Sequence, residues 1–343
     1  AVVQSSDAKV CSLTVATFPE PEELIAKECT TLKLQPGVYF TSGDYQFPLC
    51  ALEGSNSTIH LGGTLELPSC SDHSPASLKG PLSLVSRGSL LSTGCVSALG
   101  SIVLSEELQF INCASEQSGG GLSAHGRVKA AHGSSVTFSN CSSLVSFGAG
   151  GGVKAENVIV ESGSRMQFNT CWALRGGGLY AKAVDVEKAS SLNFTNCHAR
   201  SYGGGIFAEQ IKVASNSNLN LFQCSVYDDQ GRDTLGEGIM AREIYVEHGS
   251  SLDFTSHLSR SRGNAHGGGI SDGSHRDASV PYLHFFGCEP SHDGGGMAVC
   301  GDRIAFVLTL SAVWASFSIF QCCKVVANRL HQRRSLGFYD PHV

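Results

Sequence analysis

The chain lacks the features that identify several common protein classes. Its 343 residues include 24 Lys and Arg against 30 Asp and Glu, a net charge of −6 with no basic stripe, so we expect no nucleic-acid partner. No ten-residue segment of its repeats places apolar residues at i, i+3, i+4 and i+7, which disfavours leucine-rich and helical repeats. No sequence motif indicates a specific enzymatic reaction. Function must therefore be inferred from architecture.

What the chain does contain is a glycine-rich signature that recurs seven times. Each copy has three glycines or nearly so, then an aliphatic residue, a spacer and usually alanine, and the copies begin at Gly119, Gly150, Gly176, Gly203, Gly236, Gly267 and Gly294. A second signature, Phe-x-x-Cys, alternates with it at Phe110, Phe138, Phe168, Phe194 and Phe285. A period of roughly 26 to 34 residues is typical of a solenoid, in which each unit buries its apolar face against a neighbour.

The unit at 176–197 indicates strands. After its glycines come Leu-Tyr-Ala, Val-Asp-Val and Leu-Asn-Phe, each with one residue between two inward-facing positions, which is the period of a strand. Small polar residues and Gly predict a turn before the third strand. These features predict an all-β, parallel β-helix with three strands per coil. Length varies only between the Cys position and the next glycines, which predicts a loop face there.

The repeat predicts one extended domain. We expect an irregular lead-in or cap at 1–28, a β-helix of about eight to ten coils at 29–301, a candidate transmembrane helix at 302–323 and a short basic tail at 324–343. The cap is expected because a stack of strands needs cover for its open edge.

Residues 304–323 carry no charge and have about the length that a membrane helix needs. Lys and Arg follow them, which favours a cytoplasmic tail and a solenoid anchored on the extracellular face by a single pass. The alternative is a last coil, because Phe317-Ser-Ile319 followed by Cys322 repeats the spacing of the earlier coils. In that case the protein is secreted.

Six of the fourteen cysteines occupy one position of successive repeats: Cys113, Cys141, Cys171, Cys197, Cys224 and Cys288. Their predicted stacking spacing lies within disulfide range, whereas in-register parallel strands point the Cβ atoms badly for bridging. A buried column of thiols and a set of disulfides both remain open. None of the six forms Cys-x-x-Cys, and the histidines fall on different parts of the coil, so we expect no metal site and no cofactor.

Three short matches carry a family resemblance: Gly177-Gly178-Leu179, Gly204-Gly205-Ile206 and Gly268-Gly269-Ile270, together with Phe138, Phe168 and Phe194. In them the chain resembles the passenger domains of chlamydial polymorphic membrane proteins over about residues 108 to 300. The resemblance implies a right-handed, pectin-lyase-like parallel β-helix and an adhesive role. Here Cys stands where that family has Asn.

One acidic loop and three sequons are candidate sites of catalysis and of modification. The acidic loop with Asp228, Asp229, Arg232 and Asp233 is the local match to the carboxylates of a polysaccharide lyase or glycoside hydrolase, but a solvated surface turn is the favoured explanation of it. Sequons predict N-glycosylation at Asn56, Asn140 and Asn193, with Asn193 outward and Asn140 in the interior or a turn.

The sequence favours a non-catalytic extracellular or cell-surface protein with an adhesive, binding or structural role. Its long lateral faces would contact a glycan, a matrix component or another protein, because a solenoid presents a rigid and extended surface. The alternative is a polysaccharide lyase or hydrolase of the pectin-lyase-like class.

Overall fold

The computed structural model describes residues 2–4, 10–13, 18–27, 29–70, 75–87, 93–144, 148–227, 234–247 and 249–255, and beyond these only the backbone of four strands at 265–266, 270–272, 283–286 and 297–299. Within these residues one α-helix, Pro21–Ala26, accompanies strands that stack in parallel into a β-solenoid. The predicted all-β parallel β-helix is confirmed.

The described strands form three sheets along the solenoid, named here A, B and C. Sheet B contains Gly37–Phe40, Ser57–Leu61, Leu82–Ser86, Glu107–Ile111, Ser135–Ser139, Arg165–Asn169, Ser191–Thr195, Asn218–Phe222, Ser251–Thr255 and Leu283–Phe286. Sheet C contains Ala114–Ser115, Ser142–Ser143, Trp172–Arg175, His198–Tyr202, Ser225–Val226, Thr234–Leu235 and Ala265–His266. From Ile102 to His266, each described coil runs from sheet A to sheet B and then to sheet C.

Sheet A is the longest of the three. It contains Val2–Gln4, Val10–Leu13, Thr31–Leu34, Tyr45–Gln46, Ala51–Glu53, Leu65–Leu67, Ala76–Lys79, Val96–Ala98, Ile102–Ser105, Leu122–Ala124, Arg127–Ala130, Val153–Lys154, Asn157–Val160, Leu179–Val186, Ile206–Val213, Ile239–Val246, Ile270–Asp272 and Met297–Val299. Its pairings are parallel except that Val2–Gln4 runs antiparallel to Val10–Leu13. This antiparallel strand covers the first edge of the sheet.

The strand assignment differs from the predicted one in two respects. The first two predicted strands of the coil at 176–197 are a single strand, Leu179–Val186, because Lys182 and Ala183 between them form no turn. The third side of the coil is instead the segment after the cysteine, such as His198–Tyr202, which had been predicted as a loop face. Its length varies between coils because only part of it pairs with its neighbours.

The core is a stack of equivalent side chains. Phe110, Phe138, Phe168 and Phe194 are buried in successive strands of sheet B, and their rings stack with centroids 4.5, 5.0 and 4.7 Å apart. Alternate residues of these strands point outward. The period-two pattern of the sequence therefore sorts each strand into a core side and a solvent side.

Glycines make room for this stack at one corner of each coil. A Cβ atom on Gly178 would lie 2.6 Å from Cδ1 of Phe194, and one on Gly177 would lie 2.2 Å from the carbonyl oxygen of Gly204 in the next coil. The first glycine of the triplet, Gly176, has a φ of 59°, which a side chain would strain. The recurrent triplet thus allows the backbones of neighbouring coils to approach closely.

The corner between sheets B and C depends on left-handed residues. Asn112, Asn140, Thr170, Asn196 and Gln223 occupy this corner in five coils, with φ between 52° and 57°. Asn tolerates this conformation better than most residues. The Nδ2 of Asn140 also donates to the Oδ1 of Asn112 in the preceding coil at 2.9 Å, so the corner residues form a short ladder.

Candidate functional site

The outer surface of sheet B carries a regular array of polar side chains. The array spans four neighbouring strands: Ser135–Ser139, Arg165–Asn169, Ser191–Thr195 and Asn218–Phe222. In each strand the side chains of three residues point outward, and these positions are in register between strands. The twelve positions hold ten uncharged polar residues, with Arg165 and Phe222 as the other two. We call this array the polar grid; its uncharged members are Ser135, Thr137, Ser139, Gln167, Asn169, Ser191, Asn193, Thr195, Asn218 and Asn220.

The spacing of the polar grid follows from strand geometry. Neighbouring strands lie about 4.8 Å apart, and alternate residues of one strand lie about 6.7 Å apart. The grid therefore offers hydroxyl and amide groups at a constant repeat in two directions. Because the inward side chains of these strands are packed in the stacked core, the backbone that carries the outward side chains is rigid.

Hydrogen bonds order the side chains of the grid. The Nδ2 of Asn220 donates to the Oδ1 of Asn193 at 2.8 Å, and the Oγ of Ser251 donates to the Oδ1 of Asn218 at 3.0 Å. An amide side chain has two donors and one acceptor with two lone pairs, so Asn193 and Asn220 retain bonding capacity toward solvent. These bonds fix the orientation of part of the grid and leave hydrogen-bonding groups directed toward solvent.

Aromatic residues flank the polar surface of sheet B. At its N-terminal end the rings of Phe40 and His60 stack at 5.4 Å, and the guanidinium of Arg87 lies 4.4 Å from the centroid of Phe40. At the other end of the grid Phe222 is 42% exposed. Polar groups bounded by aromatic surface are typical of ligand sites that combine hydrogen bonding with apolar contact.

The outer surface of sheet A is different, because several ion pairs lie on it, beside the stacked rings of Tyr180 and Phe207. Lys129 pairs with Glu161 at 2.7 Å, Lys182 with Glu156 at 2.9 Å, and Lys212 with Glu247 at 3.3 Å. The hydrogen bond from Lys129 holds the pKa of Glu161 below its usual value, and Lys182 does the same for the pKa of Glu156. These charges already have partners, so this surface is less suited to a neutral ligand.

The predicted catalytic residues Asp228, Asp229, Arg232 and Asp233 lie outside the described residues. Of the glycosylation candidates, Asn193 points outward within the polar grid. Asn56 and Asn140 lie at corners of the coil with φ of 52°. Modification at the three asparagines stays a prediction.

The cysteines of the predicted column fall into two groups. Cys113 bonds to Cys95, and further disulfides join Cys11 to Cys29 and Cys50 to Cys70. The thiols of the four following coils, Cys141, Cys171, Cys197 and Cys224, are free and buried. Cys288 lies outside the described residues.

The four free thiols continue the column begun by Cys113. The backbone N–H of Trp172 donates to the carbonyl of Cys141, and that of His198 to the carbonyl of Cys171, so neighbouring coils are in register here. Burial raises the pKa of the Cys171 and Cys224 thiols, which keeps them protonated. These thiols fill the core and have no exposed reactive surface.

Sequence reasoning identified Asn193 as outward but missed the rest of the grid. The outward column that contains Asn193 also contains Gln109, Thr137, Gln167 and Asn220. The signal that could have found them is their common position between two inward residues. It was not recognised because the outward residues share polarity but not identity.

No protein-family model, curated protein or solved structure matches the chain. The resemblance to chlamydial passenger domains therefore rests on the repeat motifs, and the parallel β-solenoid is the part of it that the structure supports. In the part of the chain that the structure describes, no helix has the length and hydropathy needed to cross a membrane. Residues 304–323 lie outside that part.

Proposed function

We propose that the protein is a non-catalytic extracellular binding protein that holds a neutral polysaccharide against the polar grid. The observation that carries the proposal is the in-register array of uncharged hydroxyl and amide groups on a rigid sheet. Neutral glycans present hydroxyl groups at a constant repeat, each able to donate and accept. A ligand without charge brings no charge of its own that the ten uncharged members of the grid would leave unpaired.

Three disulfides support placement in an oxidising compartment, since such bonds persist mainly outside the cytosol. The proposal includes a single membrane pass at 304–323 and a cytoplasmic basic tail. Membrane partitioning after an alkaline wash tests that part: an anchored protein stays in the membrane fraction only when residues 304–343 are present. Release of both forms would indicate a secreted protein.

Binding to insoluble neutral polysaccharides tests the main proposal. The protein is incubated with cellulose, chitin and a β-1,3-glucan, and the bound fraction is measured after sedimentation. Thr137→Lys and Gln167→Lys place a charged, longer side chain at the centre of the grid and should reduce the affinity for the bound polymer about tenfold or more.

The matched control is Gln210→Lys on the outer surface of sheet A. It adds the same side chain to the same solenoid and should bind like the unmodified protein. Equal binding by the grid variants and the control would reject the grid as the binding surface, and so would the absence of binding to each of the three polymers.

The rival function is a polysaccharide lyase or hydrolase with Asp228, Asp229, Arg232 and Asp233 at its site. The same polymers, together with pectin, would then be cleaved, and Asp229→Asn or Asp233→Asn would abolish the release of new chain ends. Binding without release of chain ends favours the non-catalytic function.

A further inference from the structure

A groove with a volume of about 290 Å³ opens at the corner where sheet A passes into sheet B in the N-terminal coils. We call it the corner groove. Its charged lining residues are Lys33, Glu53, Lys79 and Glu106, and the rest of its wall comes from Pro36, Gly54, Ser55, Asn56, Gly80 and Pro81. The wall of the groove on the side of sheet A is therefore charged, and its wall at the turn consists of Gly, Pro and small polar residues.

Short connections accompany the groove in these coils. Two residues join Thr31–Leu34 to Gly37–Phe40, and two join Ala76–Lys79 to Leu82–Ser86. Four residues make the same connection in later coils, for example between Arg127–Ala130 and Ser135–Ser139. Fewer residues, mostly Gly and Pro, leave space at the corner that longer turns fill further along the solenoid.

Three of the charged residues stand in one outward column of sheet A. Lys33 is in register with Glu53, and Glu53 with Lys79, so charges of opposite sign alternate at the strand spacing of about 4.8 Å. Lys79 forms an ion pair with Glu106 at 3.4 Å. Among the described residues, neither Lys33 nor Glu53 takes part in an ion pair, so both retain hydrogen-bonding capacity toward the groove.

The hydrogen-bonding chemistry of Glu53 and Lys33 favours a ligand with hydroxyl groups. The Glu53 carboxylate only accepts hydrogen bonds, and the Lys33 ammonium only donates them. A hydroxyl group does both, so a ring with neighbouring hydroxyl groups can donate to Glu53 and accept from Lys33. An anionic ligand would meet repulsion from Glu53 and Glu106, and a cationic one would meet repulsion from Lys33 and Lys79.

The groove lies beside sheet B, at the corner that precedes its N-terminal strands. Thr58, Ser83 and Gln109 point outward from the sheet B strands that follow it, in the same column as Thr137 of the polar grid. Its volume is at the lower end of small-molecule sites, which are roughly 300 to 1,000 Å³, and suits a single ring rather than a chain. A glycan lying along this column would reach the groove with its terminal residue.

We propose that the corner groove binds one neutral pyranose ring through Glu53 and Lys33, and so recognises the end of the glycan that lies along sheet B. The inference rests on the proposed function for its biological context. Its binding chemistry concerns different residues and can be tested separately.

The test measures binding of monosaccharides to the full chain by isothermal titration calorimetry or ligand-observed NMR. The probes are the methyl glycosides of glucose, galactose, mannose and N-acetylglucosamine, with glucuronate and glucosamine as charged counterparts. We expect at least one neutral glycoside to bind more tightly than both charged sugars. Glu53→Gln and Lys33→Gln should weaken that binding roughly 10- to 100-fold, because each removes a hydrogen bond to a charged group.

Matched controls are Glu209→Gln and Lys154→Gln, which neutralise the same residue types on sheet A away from the groove. They should leave the affinity unchanged. Absence of binding by every neutral glycoside, tighter binding of a charged sugar, or equal affinity in Glu53→Gln and the unmodified protein would overturn the groove assignment. These results differ from failure of the polar grid, because Thr137→Lys and Gln167→Lys should weaken binding to the polymer about tenfold or more while leaving monosaccharide binding intact.

Discussion

At the scale of single residues, the stability of the solenoid depends on side chains that contact their own equivalents. Phe168 stacks between Phe138 and Phe194 and is fully buried. Phe168→Ala removes the ring from both contacts and leaves a cavity that neighbouring coils cannot close. We expect the free energy of unfolding to fall by about 3 to 5 kcal/mol, as measured by urea denaturation.

The control for this prediction is Phe222→Ala, in the same sheet but 42% exposed. Its effect on the free energy of unfolding should be under about 1 kcal/mol, since a side chain that is already partly exposed and stands outside the core loses less burial. Equal effects of the two substitutions would contradict the proposed role of the phenylalanine stack.

Glycine at the second position of the triplet is required by the neighbouring coil. A Cβ on Gly177 would lie 2.2 Å from the carbonyl oxygen of Gly204 and 2.4 Å from that of His198, both backbone atoms. Gly177→Ala should therefore destabilise the protein by about 1 to 3 kcal/mol through overpacking. Thermal unfolding checks this, with Gly43→Ala as control because a Cβ there meets nothing within 4 Å.

The sequence was sufficient to identify these inward residues, because an identical residue at a constant spacing is visible without coordinates. The polar grid was not visible in the same way. Thr137, Gln167, Asn193 and Asn220 occupy one column but differ in type, and only the register of sheet B shows that they are neighbours. The corner groove depends on connection lengths in coils where the repeat is degenerate.

At the scale of elements, the turns between sheets A and B are fixed by carboxylates from a neighbouring coil. One oxygen of Glu161 accepts from the backbone N–H of His132 at 3.0 Å, and the other pairs with Lys129. Glu247 acts similarly on Ser215, whose hydroxyl and backbone N–H both donate to it. These bonds connect consecutive coils at a corner that lacks strand pairing.

This arrangement predicts a pH dependence of stability. The hydrogen bond from Lys129 lowers the folded-state pKa of Glu161 below its usual value of 4.5. The contribution of the charged carboxylate is therefore complete at pH values above the unfolded-state pKa and is lost as the pH falls through the lower folded-state pKa. It is expected to be under about 1 kcal/mol, because the pair is partly exposed.

Urea denaturation of Glu161→Gln at about pH 7 and about pH 3 tests this expectation. The variant should be less stable than the unmodified protein at neutral pH and nearly equal to it in acid. A difference of the same size at both pH values would show that the charge of Glu161 contributes nothing. Glu209→Gln provides the exposed carboxylate control.

The element scale also shows which part of the fold could be predicted. Periodicity located most strands of sheet B to within a residue or two, because turns of Gly and Ser precede them. It did not show that Leu179–Val186 is continuous, since two apolar pairs look the same whether a bend or a straight strand joins them. Nor did it show that sheet C exists, because strands such as Ser142–Ser143 contain too few residues for a pattern.

At the scale of the whole molecule, covalent and noncovalent stabilisation occupy different parts of the solenoid. The three disulfides found among the described residues lie between Cys11 and Cys113, in the coils whose repeat is degenerate. The four free thiols lie in the following coils, where the phenylalanine stack and the glycine triplets are regular. Disulfides thus stabilise the coils that have the less regular core.

This division predicts an order of exposure during unfolding. In a solenoid each coil contacts only its neighbours, so a coil opens less readily the closer it lies to a coil closed by a disulfide. Cys141 follows the coil closed by the Cys95–Cys113 disulfide, whereas Cys224 lies three coils further on.

Iodoacetamide should label none of the four buried thiols in the native protein. In intermediate denaturant, peptide mass spectrometry should find Cys224 labelled before Cys141, and simultaneous labelling would instead show that the coils unfold as one cooperative unit.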